Sequence, residues 1–386
     1  MKESEKIRIC IVVASLDIIG GQSVQALRLL EGLRGEPGVE AELLPINPRL
    51  PGPLRFLQRI KYVRTVVTSI AYIALLLARL PRFDVVHVFS ASYLSFLLAP
   101  TPAILIARMY GKPVLLNYHS GEAEDHLRRW SRTAIPTMKL AHRLIVQSAY
   151  LVEVFGRFGL RAEAIFNTVD FSRFRFRRRA PLRPVLLSNR NFEKHYNVAA
   201  VLRAFALVER SVPGARLIVA GDGSERANLH ALARELELKN VEFLGPVPPP
   251  EMPSLYDRAD IFINASDVDN MPLSIIEAFA CGLPVVTTGA GGIPYIVTDG
   301  VNGTLVACRD HEGLARNVVN LLKDDRRAGA IVEAARADSR KYTWEAVRFE
   351  WLAAYADLAG REYREARPVG EPTPVTEPAM QATVSE

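Results

Sequence analysis

The sequence predicts an α/β protein of two similar domains, each a parallel sheet covered by helices on both faces, meeting at a cleft. Three observations carry this. The chain has 386 residues, about half of them apolar, whereas a single core stops growing near ~250–300 residues. Short, near-continuous apolar strands alternate with helical patterns along almost the whole chain, as in sheets buried on both faces. The alternation restarts after PLRP at 181–184, so the second half repeats the first. The expected division is 1–175 for an N-terminal domain, 176–345 for a C-terminal domain, 346–366 for a helix packing back toward the first domain, and 367–386 for a disordered tail.

Taken in order, KIRICIVVASL (6–16) reads as a first, fully buried strand, and Gly20–Gly21 open a helix through SVQALRLLEGL. A glycine turn there lets backbone approach a ligand, but the full G-x-G-x-x-G spacing is absent. The pair is either a weak dinucleotide fingerprint or a plain turn. ICIVVASL is closely followed by Asp17 and lacks a small-residue cleavage site, so it does not read as a signal peptide. AELLPIN is the second strand. LRFLQRIKYVRTVVTSIAYIALLLARL (54–80) follows as one long helical region, basic and then apolar, with Arg55, Arg59 and Arg64 near helical spacing. Its longest apolar run has 14 residues, between Arg64 and Arg79, short of the ~20 that a spanning helix needs. It reads either as a core helix with a solvated start or as a helix lying on a membrane.

DVVHVFS, PVLLNYH, HRLIVQS and AEAIFN are the remaining strands of the first half. Ligands of parallel sheets sit at the carboxyl ends of strands, where His119 falls; His87 lies inside its strand and reads as a core residue. RFRFRRR, Arg173 to Arg179, reads as a solvated interdomain connection or as a contact for acidic headgroups. In the second half, Arg190, Lys194 and His195 follow the first strand, PVLLSN. Gly221-Asp222-Gly223 follow the second, and Gly291-Gly292 follow LPVVTT. WEAVRFEWLAAYADLAGREY closes the fold, and from Arg367 no packing pattern remains.

Charge is unevenly divided. Residues 1–180 hold 26 Lys+Arg and 14 Asp+Glu, a net +12, and the rest hold 22 and 28, a net −6. The basic half suits a polyanion such as an anionic membrane or a lipid phosphate. A nucleic acid is disfavoured because no DNA or RNA module accompanies the charge. Cys10, Cys281 and Cys308 show no disulfide or zinc spacing and sit in apolar segments, which predicts buried thiols, a reducing compartment and no structural metal.

The organising stretch is DNMPLSIIEAFACGLP, Asp269 to Pro284. Between Asn270 and Thr298 the one charged side chain is Glu277, so it does not face bulk water and needs a partner, expected to be a ligand. Pro272 suits the first helical position, Asp269 or Asn270 the cap, and Gly282 with Pro284 the stop. Ile275, Ile276, Phe279 and Ala280 would pack on a sheet, leaving Ser274, Glu277, Ala278 and Cys281 as a small-sided face for a ligand. The free N–H groups of the first turn favour an anion such as phosphate.

These residues, in this order, resemble glycosyltransferase family 4. The resemblance rests on Gly-Gly after the first strand, N-x-V-D at Asn167–Asp170, R-N-F-E-K-H from Arg190, A-G-D-G at Ala220–Gly223, ADIFINAS, D-x7-E, GLPVV and GGIPYIVTDGVNG. It implies the GT-B fold of two facing Rossmann-like domains. It further implies retaining transfer of a sugar from a nucleotide-sugar donor, UDP- or GDP-linked, to a hydroxyl acceptor, with neither metal nor separate cofactor. On that resemblance Glu277 accepts from the ribose hydroxyls, and Asn270, Met271, Pro272 and Leu273 hold the donor sugar and phosphates. Arg190 pairs with the diphosphate, Gly20 and Gly21 approach it from the other domain, and His119 lies near the donor sugar. Lys194 or His195 supplies a second cation, and Gly221, Asp222 and Gly223 complete the donor side. Asp269 stands where the family commonly has Glu, and His195 where it commonly has Lys. The acceptor would be a glycan or lipid-linked, at the inner face of a membrane and within the cytoplasm. Two other readings stay open: a non-catalytic nucleotide-sugar-binding subunit, and a sugar-nucleotide epimerase, which would need an acid/base constellation not visible here.

Overall fold

The computed structural model describes residues 6–15, 21–90 and 92–362. Gly20 and the tail expected at 367–386 lie outside the described residues. Two parallel six-stranded sheets form an α/β architecture. The first runs β1 (Ile7–Val13), α1 (Gly21–Arg34), β2 (Val39–Pro45), α2 (Val63–Arg79), β3 (Val85–Ser90), α3 (Tyr93–Leu98), α4 (Pro100–Met109), β4 (Val114–Tyr118), α5 (Ala123–Arg129), α6 (Ser131–Met138), β5 (Arg143–Val146), α7 (Ala149–Arg157) and β6 (Glu163–Ala164). The second continues with β7 (Val185–Ser188), α8 (Val198–Ser211), β8 (Arg216–Ala220), α9 (Arg226–Glu235), β9 (Val241–Gly245), α10 (Met252–Arg258), β10 (Ile261–Ile263), α11 (Leu273–Cys281), β11 (Val285–Thr288), β12 (Thr304–Val306), α12 (His311–Lys323), α13 (Asp325–Ser339) and α14 (Trp344–Leu358).

The sheet orders are β2-β1-β3-β4-β5-β6 and β12-β11-β10-β7-β8-β9. Each reverses direction of winding once, between β1 and β3 and between β7 and β10. At such switch points the loops after neighbouring strands diverge and leave a crevice. The inner strands are buried on both sides because helices cover both faces, and their β-branched runs suit that setting. One face of the first sheet packs on α1 and α14, so Trp351, Leu352 and Tyr355 share a core with Ile9 and Ile11. His87 is a core residue there, its Nδ1 2.7 Å from the Tyr355 hydroxyl and its ring stacked on Phe89 and Trp351.

Three details depart from the sequence expectations. The region 54–80 is not one helix: a 3-10 segment, Gly52–Arg59, ends before Tyr62, whose φ of 69° breaks the helical path ahead of α2. The arginine run is only partly solvated: Arg173, Arg175 and Arg178 are exposed, whereas Arg177 and Arg179 are tied down. Arg177, Arg179 and Arg183 converge on Asp260, with Arg177 at 2.9 Å, Arg179 Nε at 3.2 Å and Arg183 at 2.8 Å. Asp260 is buried, and a buried carboxylate persists only when paired. Arg179 also donates to the Tyr256 and Ala259 carbonyls at the end of α10, where a cation meets the negative helix terminus. Finally, Cys10 and Cys281 are buried, but Cys308 is exposed in the loop after β12.

Candidate functional site

The loops at the carboxyl ends of both sheets face each other across a cleft of about 500 Å³. Gly21 and His119 reach it from the first domain, and Arg190, His195 and the segment from Val268 to Ser274 reach it from the second, together with Glu277. The local sequence explains the shape of the second wall. Pro272 is the N-cap of α11 rather than its first helical residue, and no side chain caps it. The helix therefore presents its first-turn N–H groups toward the cleft. Gly21 opens α1 opposite, with no atom within 4 Å of where a Cβ would stand. Two positive helix ends thus meet at one space, which favours an anion there.

Glu277 lines this space, and its partners come from the protein. The Arg28 guanidinium lies 3.4 Å from Oε1, and the Tyr256 hydroxyl donates to Oε2 at 3.0 Å. Arg28 is on α1 and also donates to the Thr168 carbonyl at 2.7 Å, so it joins three segments of chain. Burial pushes the Glu277 carboxyl up, and although the Arg28 charge and the Tyr256 bond pull it back, it stays above the ordinary carboxylate range. The rest of the expected small-sided face is different: Ala278 and Cys281 are packed in the core with Ile275 and Phe279. Only Leu273, Ser274 and Glu277 of α11 remain at the cleft.

Arg190 is held on three sides. It pairs with Asp269 at 2.5 Å, donates to Ser274 Oγ at 3.3 Å, and lies 4.1 Å over the Tyr196 ring, while its buried Nε has no partner among the described residues. Asp269 is therefore turned toward Arg190, and its other oxygen accepts from the Asn270 backbone N–H at 2.9 Å. Asn270 bridges the domains with its side chain, donating to Gln147 Oε1 at 2.9 Å and accepting from Ser148. Its side chain is thus occupied by the first domain rather than open to a ligand. Met271, Pro272 and Leu273 offer backbone to the cleft. His119 stacks on Phe89 with ring centroids 4.8 Å apart, and its Nε2 has no partner among the described residues. Burial pushes its pKa down to about 3, so the ring is neutral.

Four expected donor residues do not line the cleft. Lys194 is exposed and borders a separate hollow with Phe192 and Asn197. Gly221, Asp222 and Gly223 lie behind the loop that carries Arg190. The Asp222 carbonyl accepts from the Phe192 N–H at 3.0 Å, and a Cβ on Gly221, whose φ is 147°, would overlap the Arg190 carbonyl. The chain needs glycine there because the two loops touch. His195 does reach the cleft. Among the described residues no three of His, Cys, Asp or Glu converge as a metal would require.

Arg28, Tyr256 and Tyr196 were not singled out from the sequence. Arg28 falls one helical turn after Gln25, which is itself buried against Thr168. Two polar residues on the inner face of α1 are the signal that could have found it.

Comparison with known proteins agrees with this geometry. Residues 171–338 match the glycosyl transferases group 1, and residues 19–173 match Glycosyltransferase Family 4. Glycogen synthase of Mycobacterium tuberculosis is 29% identical over 304 residues, covering 74% of this chain and 72% of that one. A GDP-mannose-dependent phosphatidylinositol monomannoside mannosyltransferase of Mycolicibacterium smegmatis is 32% identical over 210 residues, 51% of this chain and 53% of its own. Among solved structures, Anabaena HepE in complex with UDP and glucose superposes with a TM-score of 0.71 at 19% identity, covering 91% of this chain and 99% of that one, a likeness of fold. The two family matches run consecutively through both domains, and the chain belongs to glycosyltransferase family 4, with the GT-B fold.

Proposed function

We propose that this glycosyltransferase moves a sugar, with retention of anomeric configuration, from a nucleotide-sugar donor to a hydroxyl acceptor. The observation that carries the reading is the convergence of two helix starts, that of α1 and the uncapped one of α11, on a cleft that also holds Arg190. A donor diphosphate has the charge that such a site would stabilise, and it gains further charge as it leaves. The bond from the anomeric carbon to the phosphate oxygen breaks, its electron pair staying on the diphosphate. The acceptor oxygen forms its bond on the same face, and the acceptor proton passes to the leaving phosphate oxygen. Arg190 supports the charge, using its unpartnered Nε and its cleft-side edge. Glu277, kept charged by Arg28, accepts from the ribose hydroxyls, and neutral His119 offers Nε2 to a hydroxyl of the donor sugar. Closure around Asn270, Gln147 and Ser148 excludes water.

The relatives that make glycogen and phosphatidylinositol mannosides support an acceptor that is a growing glycan or a lipid-linked sugar, within cell-surface polysaccharide or glycolipid synthesis in the cytoplasm. The test is a thermal-shift screen against UDP, GDP, ADP and their sugar conjugates, run on the wild type and on Glu277→Ala. A nucleotide at a hundred times its dissociation constant stabilises by about 2.7 kcal/mol. One nucleotide class should shift the wild type and not the variant, and proton NMR of the product should show the donor's anomeric configuration. No shift from any nucleotide, or an inverted product, overturns the reading.

A further inference from the structure

The first domain carries an apolar surface that none of the described residues covers. On α2, Val63, Val66, Ile70, Ile73 and Leu77 are all exposed. Their alternating spacing of three and four places them on one face of the helix. The opposite face is fixed in the domain by buried Tyr72 and Leu76. The Tyr72 hydroxyl donates to the Ala99 carbonyl at 2.9 Å, and the Tyr110 hydroxyl donates to the Leu77 carbonyl at 3.1 Å. These bonds hold α4 beside α2, so exposed Leu105 and Met109 extend the same surface. The stretch Val63–Arg82 is 20 residues long and apolar enough to span a bilayer, yet 17% of its apolar window is buried. Monomeric soluble proteins rarely leave so continuous an apolar patch open.

Its charge setting names the occupant. Residues 43–121 hold nine Lys and Arg and one carboxylate, Asp84, which is paired with Arg8 at 2.9 Å. Arg55, Arg59, Lys61 and Arg64 are exposed at the start of α2, beside exposed Tyr62. An apolar stripe with cations and an aromatic at its rim is the composition of a helix seated at a lipid interface. We infer that the α2 face docks this domain onto an anionic bilayer surface. The helix lies on the membrane and does not cross it, because the strands before and after it, β2 and β3, both pair with β1. The basic end faces the cleft edge: Gln58 of the 3-10 segment bonds to Pro48 and Leu50, in the loop at the carboxyl end of β2. Docking is independent of the donor chemistry proposed above.

The test is co-sedimentation of the full chain with phosphatidylcholine vesicles, with and without phosphatidylglycerol, at low and high salt. Binding is expected only with phosphatidylglycerol and should fall about tenfold or more in high salt. Val66→Glu with Ile70→Glu, both at exposed positions, should abolish it while leaving the melting temperature and the nucleotide-induced shift intact. Arg59→Ser with Arg64→Ser keeps the stripe and should lose the preference for phosphatidylglycerol. The inference is overturned if the wild type binds neither vesicle, if the folded glutamate variant binds like the wild type, or if the wild type is a dimer that this variant makes monomeric. That last result would assign the stripe to a second copy of the chain.

Discussion

Replacing Arg28 with methionine keeps most of its length and removes the charge beside Glu277. The two side chains are 11% and 12% exposed and 3.4 Å apart. Unit charges at that separation attract by about 5 kcal/mol at an effective dielectric of 20. Methionine saves the desolvation of a guanidinium, whereas loss of the bond to the Thr168 carbonyl costs about 1 kcal/mol. The net expectation is a loss of about 3 kcal/mol, the lower end of the range for opening a buried pair from one side, because Tyr256 still bonds Glu277. The sign of the pH dependence follows. Glu277 already sits above the ordinary carboxylate range, and losing Arg28 raises it further. Between its unfolded and folded pKa the native state binds more protons than the unfolded one, so stability falls as pH rises through that window. The deficit of Arg28→Met against the wild type should therefore be largest at about pH 8 and shrink at about pH 5.5 in urea unfolding. Adding Glu277→Gln to Arg28→Met should restore most of the loss at the higher pH. An equal deficit at both pH values, or no rescue by Gln, would refute the coupling.

Other outcomes follow from the same geometry. Gly221→Ala should displace the Arg190 loop, costing about 1–3 kcal/mol of stability and weakening the nucleotide-induced shift; an unchanged shift would mean the loop tolerates the Cβ. Asp260→Ala leaves three guanidinium groups facing one another and should cost about 3–5 kcal/mol. Burial raises the Asp260 carboxyl, but the Arg183 bonds and the Arg183 and Arg177 charges outweigh it and hold it below the usual range. Its contribution is thus complete above about pH 4 and disappears as pH falls through the folded pKa, so the two melting curves should converge only in strong acid. His119→Asn should lower kcat/KM without altering its pH profile from about 5 to 8, since a ring titrating near 3 is neutral throughout. A limb near pH 6.5 present only in the wild type would contradict that.

The strands were legible because each is a short apolar run closed by a turn residue, and α11 because Pro272 and Gly282 bracket it. Glu277 was legible as a buried charge, since nothing else charged surrounds it in sequence. Its partner was not, because Arg28 lies 249 residues away on a helix where an arginine ordinarily faces water. The arginine run misled for a related reason. Its acceptor, Asp260, lies about eighty residues on, between α10 and β10, and looks like an ordinary strand-leading aspartate. Gly221 and Gly223 were legible as loop glycines at a strand end, but sequence cannot say whether such a glycine admits a ligand or another loop. For α2 the sequence left two readings, core helix or open face, because exposed and buried apolar residues look the same in sequence and only the packing distinguishes them.

The division of the chain has a consequence for recombination. Arg177, Arg179 and Arg183 fasten the connecting segment to the second domain, whereas α14, the last helix described, belongs to the core of the first. The first domain's core is therefore assembled from segments that lie before and after the second domain in sequence. A chimera that exchanges the second domain between relatives must cross over twice, near Thr168 and again near Tyr342, and a single junction would leave one sheet without its lid.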